Sequence, residues 1–532
     1  MQTRARDEIR QLAEDFEVSA DHPADVVAEA ERWLQHPGLD DPALEDARHR
    51  PFVTIDNLDS RDLDQAVFIE PLGAGFRLHY ALADASYYVR RGTRLYAEAL
   101  SRGASYYLPG FVAPMLPVSL SEGLVSLNPA VDRRALTFII ELDAAGEVTS
   151  TRIVRQLVHS RAKLTYAGVQ AFWDARDRRS DAAATPADPL ENQEFTDSLL
   201  ALRELGKIRI ALAEARGVVH YPRIEVDIGF ADAEGRTFTA FESHRYESDR
   251  ANEQVSLLVN TEGARFLEHH ASSLGKPSIA AIYRVHPAPD PKTFITLAAI
   301  SRRLIRQSGL PKDLAWDADD ESIATWMTRL HDRLGRHPVA LALQRQALLI
   351  NQRSSFAAEP GLHFGVGAPC YARFSSPMRE IVGIHTHQEA LEALGLEPST
   401  AETDADRQQI IDAANESKDR QNALTKLANQ RVIEALLRPD LELAPADRAS
   451  RQGIVIGLTS DKAFVLLDEP PLELKVYARD LGERFQLEGN TTLDIKTPEG
   501  SLELTLGDRV ALTVIGFDTP RDRFQLSATV TR

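Results

Sequence analysis

Residues 51–70 read PFVTIDNLDSRDLDQAVFIE. Two apolar, β-branched runs, PFVTI (51–55) and AVFIE (66–70), flank a segment that carries Asp56, Asp59, Asp62 and Asp64. The runs read as neighbouring strands and the segment between them as their connection. On that reading Asp56 ends the first strand, while Asp62 and Asp64, two positions apart, face the same side at the start of the second. Carboxylates gathered this way repel one another and raise each other's pKa unless a positive charge sits among them. Hard oxygen donors packed together suit Mg²⁺ or Mn²⁺, which can also hold a phosphate. An Asp-rich surface turn is the plainer alternative. A calcium loop of the helical-hand type is disfavoured, because it needs Gly at its sixth position and Glu at its twelfth. Counted from Asp56, those positions hold Arg61 and Val67.

Working outward, the strand-like character continues through FRLHYALA, ALTFIIELD and TSTRIVRQLV, to about Val158. Ahead of it, ARDEIRQLAEDF and PADVVAEAERWLQH show the three-and-four spacing of helices, so residues 1–50 form a small helical segment. The polar stretch RDRRSDAAATPADPLENQ (176–193) reads as a solvated loop. Helices then dominate, notably in LLALRELGKIRIALAEAR, NEQVSLLVNTEGARFLEHHA, LAAISRRLIRQ and the periodic segment from about 403 to 438. Beyond the Pro-containing join LRPDLELAPADRA the character changes again. Short β-rich pieces, GIVIGL, AFVLL, DRVALTVIGF and DRFQLSATV, predict a small barrel over 450–532, and the OB fold is the commonest nucleic-acid-binding barrel of that size. The fold class is α+β: a mixed domain of β-sheet and helices over 51–440, with a helical N-terminal segment and a C-terminal all-β barrel.

The 532 residues are 43% apolar, enough for two or three cores. Cys370 is the lone cysteine, which excludes an internal disulfide and leaves a structural zinc site without its usual ligands. No apolar run approaches the roughly 18 residues of a membrane span, and the charged start lacks a signal-peptide core, so a cytoplasmic location is expected. Lys and Arg number 61 against 79 Asp and Glu, a net charge of −18. That sign argues against a protein coated with basic surface; a bound polyanion would need its basic groups gathered in a groove.

Several segments, in order, resemble the ribonuclease II / ribonuclease R exoribonucleases: VTIDNLDSRDLDQAV, LHYALADASYYV, ASYYLPGFVAPMLPVSLSEGLVSLNP, SRAKLTYAGVQ and EPGLHFGVGAPCYARFSSPMRE, followed by GDRVALTVIGFDTPRDRFQLS in the terminal barrel. The resemblance implies a hydrolase that degrades single-stranded RNA from its 3′ end to nucleoside 5′-monophosphates with Mg²⁺ (or Mn²⁺) by a two-metal mechanism, acting as a monomer. Three of the family's four metal-binding aspartates fall on Asp56, Asp62 and Asp64; the fourth position is Gln65. An amide oxygen is a poorer ligand than a carboxylate, so weaker metal binding is expected, and a catalytically impaired RNA-binding protein of the same fold is the alternative. Asp64 takes the most critical position, and Arg379 matches the active-site arginine, a group able to hold a phosphate oxygen. Tyr107 and Tyr166 fall on tyrosines that contact the 3′-terminal nucleotides, and Glu253 on a glutamate near the terminal ribose.

The chain departs from the family at Arg373, Glu380, Ile381 and Gly383, where His or Trp, Arg or Lys, Tyr, and Asp are usual. His363, His385 and His387 lack a second ligand cluster and are expected to be structural, as are His269 and His270 at a helix end. The family's two N-terminal cold-shock-like barrels have no counterpart in the helical first 50 residues, which implies that the helices share the guiding of RNA or that entry is more open.

Overall fold

In the computed structural model, which describes residues 4–179, 188–219, 221, 225–273, 279–400, 403–498 and 500–531, the stretch 52–72 forms two strands of a closed barrel. Its strands are β1 (Phe52–Asp56), β2 (Gln65–Leu72), β3 (Gly75–Ala83), β4 (Asp132–Leu142) and β5 (Val148–Thr165). Successive neighbours from β1 to β5 pair antiparallel. Closure comes from the length of β5. Its first part pairs with β4, down to Asp132↔His159, and its last residues run parallel to β1, from Phe52↔Ser160 to Asp56↔Thr165. The strand expected to stop near Val158 therefore continues for seven more residues, because the edge of β1 supplies partners for the backbone of a polar stretch.

Period-two alternation sends large side chains to one face and small ones to the other. Val53, Ile55, Val67, Tyr80, Leu82 and Phe138 fill a core with the helices Thr196–Ala215 and Glu247–Ser273. Ala66, Ala81, Ala83 and Ala135 face a second core containing Leu116, Met378, Ile381 and Ile384. Both faces of these strands are covered, which explains runs more apolar than simple alternation would give.

The fold class is α+β, as expected. Helices occupy Ala5–Asp15 and Ala24–Gln35 near the N-terminus, and a long helix spans Asp404–Leu437. Thr403 and Asp406 cap that helix reciprocally, each side chain accepting from the other's backbone N–H, at 3.2 and 3.0 Å. The helix Tyr166–Arg179 takes up the first residues of the stretch expected to be a solvated loop; residues 180–187 of it lie outside the described set.

In the C-terminal region five strands (Arg451–Leu458, Lys462–Leu467, Glu473–Tyr477, Arg509–Asp518 and Arg523–Val530) form one sheet, and a meander over 484–505 forms a second. Their inward residues, Val455, Val465, Leu493, Val510 and Val514 among them, share a core with Trp326, Leu330 and Leu343 of the helices between 291 and 349. Trp316 and Trp326 stack there with centroids 5.4 Å apart.

Helices Thr196–Ala215 and Glu247–Ser273 meet closely at one point. A Cβ added at Gly206 would stand 2.5 Å from the Cβ of Ala251. Replacing a helical glycine by alanine ordinarily stabilises by about 1 kcal/mol; here the overlap outweighs that gain. Gly206→Ala is expected to lower the free energy of unfolding by roughly 1–3 kcal/mol, measured by urea titration.

Candidate active site

The acidic connection between β1 and β2 is held from outside as much as by its own sequence. Leu63 is buried, and its N–H donates to Ser126 Oγ at 3.0 Å while its carbonyl accepts from Leu127 at 3.0 Å. Ser126 Oγ in turn donates to the Arg61 carbonyl at 2.8 Å, and Lys163 Nζ donates to the Leu58 carbonyl at 2.8 Å. Leu63 pinned inward turns Asp62 and Asp64, its neighbours on either side, to the barrel mouth. Because β2 begins only at Gln65, this convergence is a property of the pinned loop rather than of strand alternation. Asp59, between the anchored Leu58 and Arg61 carbonyls, is itself exposed.

Asp64 is 1% exposed. Its Oδ1 accepts the Met378 N–H at 2.9 Å, and its Oδ2 accepts from Arg379 Nε. Burial drives its pKa up, Arg379 opposes that shift and Asp62 adds to it, leaving the group pushed up to about 6. Asp56 and Asp62 also act on the Arg379 guanidinium, so all three aspartates share one neighbourhood. Asp56 Oδ1 accepts from Asn57 N–H at 2.7 Å and Ser60 Oγ at 2.8 Å, and Asp62 Oδ2 accepts from the Tyr107 hydroxyl. Gln65 is turned away from this use. Its Oε1 accepts the hydroxyl of fully buried Tyr80 at 2.5 Å.

The loop bearing Arg379 is fastened by a residue that sequence reading passed over. Asn260, 0% exposed on the helix Glu247–Ser273, accepts with Oδ1 from the N–H groups of Phe374 and Ser375 at 2.7 and 3.0 Å. Its Nδ2 donates to Tyr371 Oη at 2.8 Å and Ser375 Oγ at 2.9 Å. The one available signal was an asparagine inside the apolar run SLLVNTEGARFL. His387 Nε2 meets the Phe374 carbonyl at 3.0 Å and His385 Nε2 the Ala280 carbonyl at 2.6 Å. Burial lowers both, to about 4 and about 3, so the two histidines are neutral structural groups, as expected.

The departures from the family pattern have local reasons. At Gly383 a Cβ would come within 2.8 Å of the Ser376 carbonyl and Pro377 Cα, so no side chain fits. Arg373 and Glu380, two departures taken together, are partners: Arg373 Nη2 donates to Glu380 at 3.3 Å.

Tyr107 sits in a hairpin of Tyr106–Leu108 and Phe111–Ala113. Half of its surface is open while its hydroxyl end is enclosed against Asp62. The reverse side of the hairpin, Tyr106, Leu108 and Ala113, packs on Ile9, Leu12 and Ala13 of the N-terminal helix and Leu424 and Ala428 of the long helix. The N-terminal segment thus braces the strand that presents Tyr107. Tyr166 follows Thr165, the register partner of Asp56, and its hydroxyl accepts from Asn252 Nδ2 at 3.2 Å. Glu253, the next residue, points elsewhere. It accepts from Arg245 at 2.7 Å and lines a cavity of about 900 Å³ together with Arg250, Tyr221, Arg336 and His331. Residues 253, 257, 261 and 265 face that cavity at helical spacing, while Asn252 and Asn260 face the acidic site. One helix therefore joins the two.

As donors, Oδ2 of Asp56 and Oδ1 of Asp62 are left over by the bonds above, and both are hard oxygens beside a carboxylate that burial, and then repulsion from Asp62, make hard to ionise. That chemistry fits a divalent cation of the Mg²⁺ type. Among the described residues no three of His, Cys, Asp and Glu already stand in a coordinating array; in the chain alone, Arg379 compensates Asp64.

Two measurements check this geometry. Asn260→Leu leaves two buried loop N–H groups unpaired and is expected to destabilise the chain by roughly 2–4 kcal/mol, read by denaturant unfolding. Because the folded pKa of Asp64 lies above an unfolded value near 4, the stability of its neutral form is full below about pH 4 and is lost as pH rises through about 6. In chelator-treated protein, the unfolding free energy of Asp64→Asn is expected to gain on the parent by on the order of 2–3 kcal/mol between pH 4 and 7.

Residues 44–394 match the family model described as the RNB domain. Ribonuclease R of Escherichia coli is 32% identical over 344 residues, covering 64% of this chain and 39% of that protein. Ribonuclease R of Mycoplasma pneumoniae is 25% identical over 493 residues, covering 91% and 63%. Among solved structures, Mycoplasma genitalium RNase R in complex with ribose methylated single-stranded RNA has the same fold, with a TM-score of 0.80 at 22% identity, covering 98% of this chain and 78% of that one. The chain matches about two fifths of the length of the first of these relatives. Since the matched span takes in the barrel, the acidic loop and the Arg379 loop together, the chain belongs to the RNB-domain family of ribonuclease II and ribonuclease R proteins.

Proposed function

We propose that the protein is a hydrolytic 3′→5′ exoribonuclease that takes single-stranded RNA to nucleoside 5′-monophosphates. The observation that carries this reading is the convergence of Asp56, Asp62, Asp64, Arg379, Tyr107 and Tyr166 at one barrel mouth. Asp56, Asp62 and Asp64 would hold the divalent cation, Mg²⁺ or Mn²⁺, which when bound neutralises the phosphate and makes water a stronger acid, in a pair of sites if the two-metal mechanism of the resemblance applies.

Arg379 spends its Nε on Asp64, which leaves the two Nη groups to grip a non-bridging phosphate oxygen and to stabilise charge building there. Asp64, fixed by the Met378 N–H and by Arg379, helps to orient and activate the attacking water beside the cation. The open ring face of Tyr107 supports stacking of the terminal base, worth about 1–3 kcal/mol, while its hydroxyl holds Asp62 in place. Tyr166 and Asn252 offer polar contacts for the last sugar, and Glu253 with Arg245 and Arg250 supplies groups for ribose and phosphate along the 900 Å³ cavity. Gln65, bonded to Tyr80, adds no carboxylate, so the cation is held more weakly than four aspartates would hold it. The same observation favours the second reading, an RNA-binding protein of this fold with impaired chemistry.

The two readings part in one assay. Single-stranded RNA labelled at either end is incubated with the protein over a Mg²⁺ and Mn²⁺ series. Release of mononucleotide from a 3′ label at the earliest times, abolished by Asp64→Asn, is the expected result. RNA binding without release at any metal concentration would instead establish the impaired form.

A further inference from the structure

Next to Arg379 lies a second group of charges that the reaction above leaves unused. The carboxylate of Glu380 meets Arg373 through both oxygens at 3.3 Å, and Lys418 of the long helix stands 3.6 Å from it. Arg284, on the short strand Tyr283–Val285, borders the same group, and its guanidinium bonds Ser354 Oγ at 3.0 and 3.2 Å. Among the described residues no carboxylate lies within ion-pair distance of Arg284. Arg373 and Lys418 thus pair with one carboxylate while Arg284 acts on it from beyond ion-pair distance, a surplus of two positive charges in a largely enclosed place. Burial lowers the pKa of both Arg284 and Lys418, the cost of holding charge there. The group is not sealed, since 25% of the Arg373 side chain and 36% of Lys418 remain open. An unbalanced cationic pocket beside a phosphate-gripping arginine calls for an anion.

We propose that Arg373, Lys418 and Arg284 form a further phosphate subsite for the RNA strand beside the Arg379 position, with Glu380 as a resident counter-anion that competes with the RNA phosphate. The subsite rests on the exoribonuclease reading and adds to it. Glu380 sits one residue from Arg379, whose carbonyl accepts the Ser105 N–H at 2.9 Å, so the two positions are fixed relative to each other by one anchored backbone. Internucleotide phosphates recur along the strand, and the Glu380 group lies close enough to Arg379 for the two to act on each other electrostatically, so a phosphate neighbouring the one at Arg379 is the anion it would meet. The competition gives a sign that an ordinary structural ion pair does not: removing the Glu380 charge should tighten RNA binding even while it loosens the fold.

The test uses the full chain carrying Asp64→Asn, with 5′-labelled single-stranded RNA, compared with the same chain carrying in addition Glu380→Gln, Arg284→Gln or Arg373→Gln. Dissociation constants are taken over a salt series, with thermal unfolding alongside. Glu380→Gln is expected to bind about tenfold more tightly while its melting temperature falls. Arg284→Gln and Arg373→Gln are expected to bind more weakly, with the logarithmic salt slope shallower by about 0.7. A neutral methylphosphonate at one linkage near the 3′ end should erase the gain from Glu380→Gln. Weaker RNA binding by Glu380→Gln overturns the subsite, leaving a structural pair. If no single neutral linkage erases the gain, the anion is a free phosphate or product rather than the strand, and the proposal is likewise overturned. A folded Asp64→Asn chain that binds no RNA at all refutes the exoribonuclease reading itself, and the subsite with it.

Discussion

The carboxylate of Asp64, enclosed at the mouth of a β-barrel, is the constraint on which the rest of this structure depends. A buried carboxylate must be given donors and a counter-charge or it stays protonated. Both come from one loop more than 300 residues away in the chain: the Met378 N–H and the Arg379 guanidinium. The compensation is partial, because burial and the neighbouring Asp62 still leave Asp64 hard to ionise. A site balanced in this way has a standing demand for more positive charge, and that demand is the physical basis for reading it as a cation and phosphate site.

Holding the compensating loop in place then becomes the task of the surrounding elements. Asn260 satisfies all four of its amide valences on that loop, and Gly383 leaves room for its backbone to pass. The helix that carries Asn260 turns an adjacent face to a large, charged cavity. It connects the place where a phosphate would be cut to the place where the rest of a strand would lie. On the other side the N-terminal helix packs behind the Tyr107 hairpin, so residues near the start of the chain govern the position of an aromatic ring at the site. Charge balance recurs one residue beyond Arg379, where Glu380 is shared by more cations than it can neutralise.

The barrel strands, the two N-terminal helices, the long capped helix and the terminal β-rich region were all legible in the sequence, because each carries its own period of apolar residues or its own cap. The cluster of aspartates was legible too, as four like charges in nine positions, although the stretch by itself left an acidic surface turn open. Less visible was the continuation of β5 to Thr165, whose polar residues are strand only because β1 offers them hydrogen bonds. Asn260 reads as one polar residue in an apolar helix, and its role depends on a loop more than 100 positions away. Glu253 matches a glutamate near the terminal ribose, and the sequence does not show that one helical step of about 100° separates it from Asn252 and turns it to the cavity.

By itself the sequence determined which residues could carry charge, metal and stacking chemistry, and in which local elements they would lie. These are properties of neighbours along the chain, set by side-chain type and by periods of two and 3.6 residues. Only the tertiary structure decided that Arg379 answers Asp64 rather than Glu380, that Gln65 is spent on Tyr80, and that Arg373, Lys418 and Arg284 gather around a single carboxylate. Electrostatic and hydrogen-bond partners are selected by proximity in space, and proximity is fixed by packing between segments hundreds of residues apart.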